Sequence, residues 1–130
     1  MSSIFSKIVS NEIPSYKVYE NENFLAFLDI NPLKQGHTLV IPKIEVDYIF
    51  DLKSKEYQEL WNFAKLVAKG MKRVIKCERI SIVVMGLEVP HAHIHLIPLD
   101  NMQDIDFSQP KLNLSSDQMN KIASLINSAI

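Results

Sequence analysis

The chain has 130 residues, 47% of them hydrophobic, which fits one domain with a real core. A net charge of −1 excludes the basic excess that would bind a nucleic-acid backbone, and neither a basic amphipathic segment nor an apolar run of the roughly 20 residues that span a bilayer indicates a membrane. The N-terminus lacks a signal peptide and Cys77 is the single cysteine, so we expect a cytoplasmic protein with one domain over residues 1–130.

The first third of the chain predicts a short helix followed by three strands. Residues 4–9 are apolar at helical spacing and are followed by a proline, which disfavours a helical residue before it. Residues 16–19 and 24–30 lie on either side of a polar turn and predict a hairpin. Residues 37–41 are rich in β-formers and predict a third strand, which Pro42 stops.

The middle of the chain predicts one long amphipathic helix. From Ser54 to about Ile75, apolar side chains recur every three or four residues and form a single stripe. Lysine and glutamate fill the opposite face, and Ser54 is expected to cap the N-terminus. We expect the stripe, which includes Trp61 and Met71, to pack in the core.

The last part of the chain predicts a second hairpin and a final helix. Residues 79–85 predict a buried strand, and residues 91–99 alternate and predict its partner. Residues 100–114 are polar and predict a surface loop. Ser115 and Gln118 resemble a capping box that begins the final helix. This order predicts an α+β domain with an antiparallel sheet of about five strands, one long helix and short terminal helices.

Three of the four histidines alternate along the last predicted strand. Residues two apart on a strand share a face, so the imidazoles of His91, His93 and His95 would line one surface at steps of roughly 6.6 Å. The apolar residues between them would point toward the core. Imidazole ionises near neutrality and can act as nucleophile, base or acid. The residues alone also allow a solvated polar strand face, or a metal site in which neighbouring imidazoles share a zinc ion.

The segment His91-Ala92-His93-Ile94-His95-Leu96-Ile97-Pro98 resembles the signature of the histidine-triad (HIT) superfamily, three histidines separated by single apolar residues. Four upstream blocks, residues 3–9, 12–14, 24–32 and 36–43, resemble the family in the same order. The resemblance implies an α+β fold that pairs into a homodimer with a continuous sheet. It also implies a nucleotide substrate, with a purine nucleoside phosphate expected, and it implies no cofactor.

The resemblance implies a role for each residue of the site. His93 would attack the α-phosphate and form a covalent nucleotidyl-histidine, which water then cleaves. His91 and His95 would orient His93 and donate to phosphate oxygens, and His37 would join the cluster. A backbone carbonyl is expected to fix the tautomer of His93, and Asp29 would accept hydrogen bonds from both ribose hydroxyls. The walls of the base pocket would be Ile4, Phe5, Phe27 and Ile30.

Two departures from the family pattern bear on the chemistry. Many members carry Gly-Gln-Ser or Gly-Gln-Thr before the triad, with polar side chains that reach the phosphate or the leaving group. Here the run is Gly86-Leu87-Glu88, and Met85 stands where asparagine is common. Glu88 is therefore expected to disfavour an anionic leaving group. Some members hold a structural zinc with a Cys-x-x-Cys pair, whereas Ser3 and Ser6 occupy those positions here, so we expect no zinc.

The sequence thus predicts hydrolysis or transfer of a nucleoside monophosphate unit without a metal. Phosphoramidates, nucleoside polyphosphates and dinucleoside polyphosphates are all candidate substrates. Two alternatives stay open. Leu87 and Glu88 motivate a nucleotide-binding module with weak or vestigial catalysis, and the triad itself motivates a metalloenzyme with histidine ligands.

Overall fold

The computed structural model describes residues 2–130 as one antiparallel sheet with helices on both of its faces. In chain order the elements are α1 (Ile4–Val9), β1 (Lys17–Glu20), β2 (Phe24–Leu28), β3 (Thr38–Pro42), α2 (Ser54–Val74), β4 (Arg79–Val83), β5 (Ile94–Leu99) and α3 (Ser116–Ser128), with 3₁₀ turns at Ile49–Asp51 and Met102–Ile105. The strands lie in the order β1-β2-β3-β5-β4, and every neighbouring pair is antiparallel. The predicted α+β class, the five strands and both hairpins are confirmed.

Two separate cores lie on the two faces of the sheet, because successive strand residues point to opposite sides. The larger core is packed by α2 and α3, and it includes Ala92, Ile94 and Leu96, as predicted. Helix α1 has six residues, too few to be stable by itself, so its packing on the opposite face holds it in place. That smaller core consists of Phe5, Ile8, Leu25, Phe27, Leu39 and Ile41.

The two long helices agree with the sequence except at one cap. Helix α2 begins at Ser54, but the capping position is Lys53, whose carbonyl accepts the first helical bond from the Tyr57 amide. The prediction that Ser54 caps this helix is therefore wrong. Helix α3 begins with the predicted capping box of Ser115 and Gln118. In the described part of the chain, no helix is long and apolar enough to cross a membrane.

The second hairpin differs from the prediction in three respects. Strand β4 lies at the edge of the sheet and is half-exposed, so the prediction of a buried strand is wrong. Strand β5 begins only at Ile94, because the amide of Ala92 donates to the carbonyl of Val46, 2.7 Å away, outside the sheet ladder. His91 and His93 thus precede the strand, and His95 alone of the triad lies on it.

Smaller shifts affect the first hairpin and the C-terminal loop. Strand β2 ends at Leu28, two residues before the predicted end at Ile30, and β3 includes Pro42 as its last residue. The predicted loop over residues 100–114 contains the 3₁₀ turn Met102–Ile105, which has a capping box of its own. None of these shifts changes the order of the strands in the sheet.

Candidate active site

A cavity of about 560 Å³ opens on the α1 face of the sheet, a size typical of small-molecule sites. Phe5 and Phe27 are buried at its base, where their rings meet edge to face with centroids 5.5 Å apart. Ile4 and Ile30 are 49% and 69% exposed and stand at the rim. The structure thus brings together the four residues that the sequence assigned to the base pocket. The same cavity is lined by Asp29, Glu88, His93 and His95.

The imidazole of His93 is held by a hydrogen bond to the backbone two residues earlier in the chain. Its Nδ1 lies 2.7 Å from the carbonyl oxygen of His91. A carbonyl oxygen only accepts, so Nδ1 carries the proton, and Nε2 keeps the lone pair when the ring is neutral. The expected backbone acceptor is therefore present. The ring of Phe5 also packs against that of His93, with the centroids 5.0 Å apart.

His37 and His95 form a buried pair in which His95 lines the cavity and His37 lies behind it. His37 Nδ1 accepts the backbone N–H of Leu33 at 3.1 Å, so the proton of the neutral ring lies on Nε2. That Nε2 lies 3.0 Å from His95 Nδ1 and donates to it, which leaves the proton of His95 on its own Nε2. Burial lowers the pKa of His37 to about 3. Burial, and next the neighbouring His93, lower the pKa of His95 to about 4.

His91 is fully buried and has no nitrogen free for a ligand. Its Nε2 lies 2.8 Å from the carbonyl oxygen of Pro42, and its Nδ1 lies 2.8 Å from Ser3 Oγ. The expectation that His91 donates to phosphate oxygens is therefore wrong, because both nitrogens are already satisfied away from the cavity. Its contact with His93 runs instead through the His91 carbonyl.

Asp29 and His37 meet where β2 ends and β3 begins. The Asp29 amide donates to the carbonyl of His37 at 3.0 Å, and Gly36 makes the turn possible with a positive φ of 92°. A side chain at Gly36 would also clash with Ile75. Burial raises the pKa of Asp29. Its carboxylate accepts the Asn31 amide at 2.9 Å and lines the cavity, where it can accept further hydrogen bonds.

Among residues 2–130, a possible set of metal ligands is formed by Asp29, His37 and His95, which each offer one ligand atom within 4.8 Å of the others. This set differs from the triad that the metalloenzyme alternative assumed. The tautomer of His37 opposes metal binding, because its Nδ1 accepts the Leu33 amide and its protonated Nε2 faces the other two groups. A cation would have to displace that proton and break the bond to His95.

Two residues of the C-terminal loop line the cavity although the sequence did not predict it, since this loop matches no family motif. Phe107 packs edge-on against His95 with the ring centroids 5.0 Å apart, and it also contacts His37. Lys111 lines the cavity and holds its ammonium group 5.9 Å from the centre of the Phe107 ring. They are the only aromatic and the only basic residue in the segment 100–114. This isolated pair is the sequence feature that could have indicated a role for the loop in the site.

The fold and the site together define an α+β protein with a cavity of about 560 Å³ that is lined by two histidines, His93 and His95. The family model for the HIT domain matches residues 10–102, and the chain therefore belongs to the HIT family. An uncharacterized HIT-like protein of Borreliella burgdorferi is 36% identical over 132 residues, covering 95% of each chain. The adenosine 5′-monophosphoramidase of Saccharomyces cerevisiae is 34% identical, covering 92% of this chain and 77% of its own.

Solved structures of the same family share the fold. A Zn-bound histidine-triad family protein from Mycobacterium smegmatis has a TM-score of 0.83 at 28% identity, covering 99% of this chain and 93% of its own. The similarity therefore extends beyond the matched domain to the C-terminal residues that contribute Phe107 and Lys111.

Proposed function

We propose that this protein is a nucleotide hydrolase or nucleotidyl transferase in which His93 attacks an α-phosphorus. The observation that carries the proposal is the hydrogen bond from His93 Nδ1 to the His91 carbonyl, at 2.7 Å, in a residue that lines the cavity. This bond leaves Nε2 as the nucleophilic nitrogen. The name of the yeast relative, an adenosine 5′-monophosphoramidase, supports nucleotide hydrolysis as the class of reaction.

The reaction proceeds in two displacements at phosphorus. A bond forms between His93 Nε2 and the α-phosphorus while the bond to the leaving group breaks. The leaving group departs with the electron pair, and an amine takes a proton from solvent. Water then attacks the phosphorus, releases a proton to solvent, and returns the electron pair of the P–N bond to Nε2. The His91 carbonyl stabilises the positive imidazole in the intermediate, because Nδ1–H remains bonded to it.

The other cavity residues are assigned to substrate binding. His95 carries its proton on Nε2 and donates it to a phosphoryl oxygen, with His37 holding that tautomer from behind. Asp29 accepts hydrogen bonds from the ribose hydroxyls. Phe5 and Phe27 contact the base, since their aromatic rings give that part of the cavity an apolar wall.

A second candidate is a nucleotide-binding module with weak catalysis. Leu87 is 92% exposed and offers no polar group at the position where the family pattern described above has glutamine. Turnover against a panel of phosphoramidates and polyphosphates, measured beside nucleotide affinity, separates the two candidates. Tight nucleotide binding together with no turnover on any substrate of the panel favours the nucleotide-binding module.

The decisive test is the intact mass of the protein after mixing with candidate nucleotides and rapid quenching without acid. We expect an adduct of one nucleoside monophosphoryl group in the wild-type protein and none in His93→Ala. The mass also identifies the transferred group. Turnover by the wild-type protein with no adduct at any time, or an adduct that survives in His93→Ala, contradicts the proposal.

A further inference from the structure

A polar cluster joins the start of α1 to the histidine site from outside the cavity. It consists of Ser3, Ser6, Glu45 and His91, and we refer to it as the Glu45 clip. Glu45 Oε1 accepts the backbone N–H of Ser3 at 2.5 Å and the hydroxyl of Ser6 at 2.7 Å. Ser3 Oγ lies 2.8 Å from His91 Nδ1. The clip therefore connects three segments whose bonded residues are at least 39 positions apart in the sequence.

The clip completes the N-terminal cap of α1 with a residue from elsewhere in the chain. Ser3 is the N-cap, and its Oγ accepts the Ser6 amide at 3.0 Å. In a capping box, the side chain at the third helical position would accept the N-cap amide in return. Here that position is Ser6, and Glu45 takes its place. A helix of six residues depends on such contacts.

The hydrogen bonds of the clip continue through His91 to His93. His91 Nε2 faces only the Pro42 carbonyl and must donate to it, so His91 Nδ1 accepts from the Ser3 hydroxyl. Burial lowers the pKa of His91, which favours the neutral ring, and the two hydrogen bonds select this tautomer. The same residue presents its carbonyl to His93 Nδ1 at 2.7 Å. The position of that carbonyl thus depends on how His91 is held.

The clip also positions one wall of the cavity. Phe5 lies on α1 and contacts both His91 and His93, with ring centroids 5.9 and 5.0 Å away. The hydrogen bonds from the amide of Ser3 and the hydroxyl of Ser6 lower the pKa of Glu45 to about 2, so it is a carboxylate at neutral pH. Glu45 is solvent-exposed and does not line the cavity, so its effect on a ligand must act through α1 and His91.

We propose that Glu45 is a positioning residue, which sets the orientation of His93 through Ser3 and His91 and the place of Phe5 through α1. This proposal rests on the proposed function only for its kinetic consequence. The hydrogen bonds themselves are a property of the free protein. In this proposal, Ser3 and Ser6 connect Glu45 to the site, since both donate to its carboxylate and Ser3 also contacts His91.

The test compares Glu45→Ala with Glu45→Gln, since a glutamine Oε1 can still accept both bonds from α1. We expect Glu45→Ala to lower kcat by about 10-fold, less than the 10²-fold that a 1 Å misplacement can cost, with a smaller change in KM. Glu45→Gln should restore most of the lost rate. The matched control is Ser10→Ala, which removes the bond to the Lys7 carbonyl at the other end of α1 and leaves the clip intact.

A second readout does not require turnover. Nitrogen-15 NMR of the free protein reports which nitrogen of His93 is protonated. We expect a single Nδ1–H tautomer in the wild type, Glu45→Gln and Ser10→Ala, and a mixture of tautomers in Glu45→Ala. An unchanged tautomer together with wild-type kcat in Glu45→Ala overturns the proposal. If the wild-type protein has no turnover on any nucleotide, the proposed function fails, while the tautomer comparison still decides the role of Glu45.

Discussion

His37 Nε2 and His95 Nδ1 lie 3.0 Å apart, although 58 positions separate the two residues in the chain. Strand β3 pairs with β5 so that Leu39 lies opposite His95, and His37, two residues before Leu39, therefore lies diagonally across from His95. Both rings are buried and neutral near pH 7. The pair forms one hydrogen-bonded unit, and because burial lowers the pKa of both rings, protonation of the pair must lower the stability of the fold.

We expect the free energy of unfolding to fall as the pH is lowered from about 7 to 4. The pKa values in the folded protein, about 3 for His37 and about 4 for His95, lie below the ordinary value of 6.5. The unfolded chain therefore binds more protons in this window, and each such proton contributes a slope of up to about 1.4 kcal/mol per pH unit. Urea unfolding at several pH values measures it. His37→Gln should show a clearly smaller slope than the wild type, and an equal slope contradicts the assignment.

His93→Ala should abolish turnover while nucleotide affinity stays mostly unchanged. No other nitrogen can replace Nε2 as the attacking group, and the neighbouring core residues Ala92 and Ile94 are untouched. Steady-state kinetics and calorimetric binding of a nucleoside monophosphate measure the two effects. The fold is checked by the thermal midpoint.

His37→Gln and His95→Gln should be milder than His93→Ala, with losses of about 10²–10³ in kcat, typical of one lost electrostatic contact. In the proposed mechanism, His37 positions His95 and His95 donates a hydrogen bond, and neither forms a bond to phosphorus. If His93→Ala keeps most of the activity while His95→Gln removes it, the nucleophile has been assigned to the wrong histidine.

Local patterns in the sequence were sufficient for the class of fold, and the family resemblance named part of the cavity lining. Alternation placed Ala92 and Ile94 in the core, and the family resemblance brought Asp29 and His93 to one cavity. The prediction that His91 shares a strand face with His95 is wrong, because β5 begins three residues after His91. Before that point the amide of Ala92 donates to the carbonyl of Val46, outside the sheet. Glu45 was not found because its partners lie 39 and 42 residues away in the sequence, and only the tertiary fold pairs them.

The purified protein should contain no stoichiometric zinc. Ser3 and Ser6 hold their hydroxyls in the Glu45 clip, and hydroxyls are poor zinc ligands. Near the cavity, the proton on His37 Nε2 opposes a cation at Asp29 and His95. Elemental analysis after dialysis measures the metal content, with turnover assayed before and after a chelator. A one-to-one metal signal whose removal abolishes turnover would support the metalloenzyme alternative.

The protein should form a homodimer, and β4 is the surface that we expect to pair. This strand lies at the edge of the sheet, where its backbone groups have no partner on one side. Ile82, Val84 and Met85 expose apolar side chains along and just beyond it. Sedimentation at micromolar concentration should show a dimer, and Ile82→Lys should shift it toward monomer. Lys65→Glu, on an exposed face of α2, serves as a control that should leave the dimer intact. A wild-type monomer contradicts the prediction.

Glu88 and Lys111 should set the preference between leaving groups in opposite directions. Both line the cavity, and they shift the pKa of Asp29 in opposite senses, Lys111 downward and Glu88 upward. A carboxylate repels a departing polyphosphate and a lysine attracts it, whereas an amine from a phosphoramidate leaves without negative charge. Both side chains are exposed, so screening limits each effect to several-fold in kcat/KM.

We therefore expect Glu88→Gln to raise the ratio of polyphosphate to phosphoramidate activity, and Lys111→Gln to lower it. The measurement is kcat/KM for one substrate of each kind with the same nucleoside, at low and at physiological salt. The differences should shrink as salt is added, since exposed charges act through solvent. Lys121→Gln, on the exposed side of α3 and outside the cavity lining, controls for net charge. If Glu88→Gln leaves the ratio unchanged at low salt, Glu88 does not act on the leaving group and its carboxylate is directed to solvent.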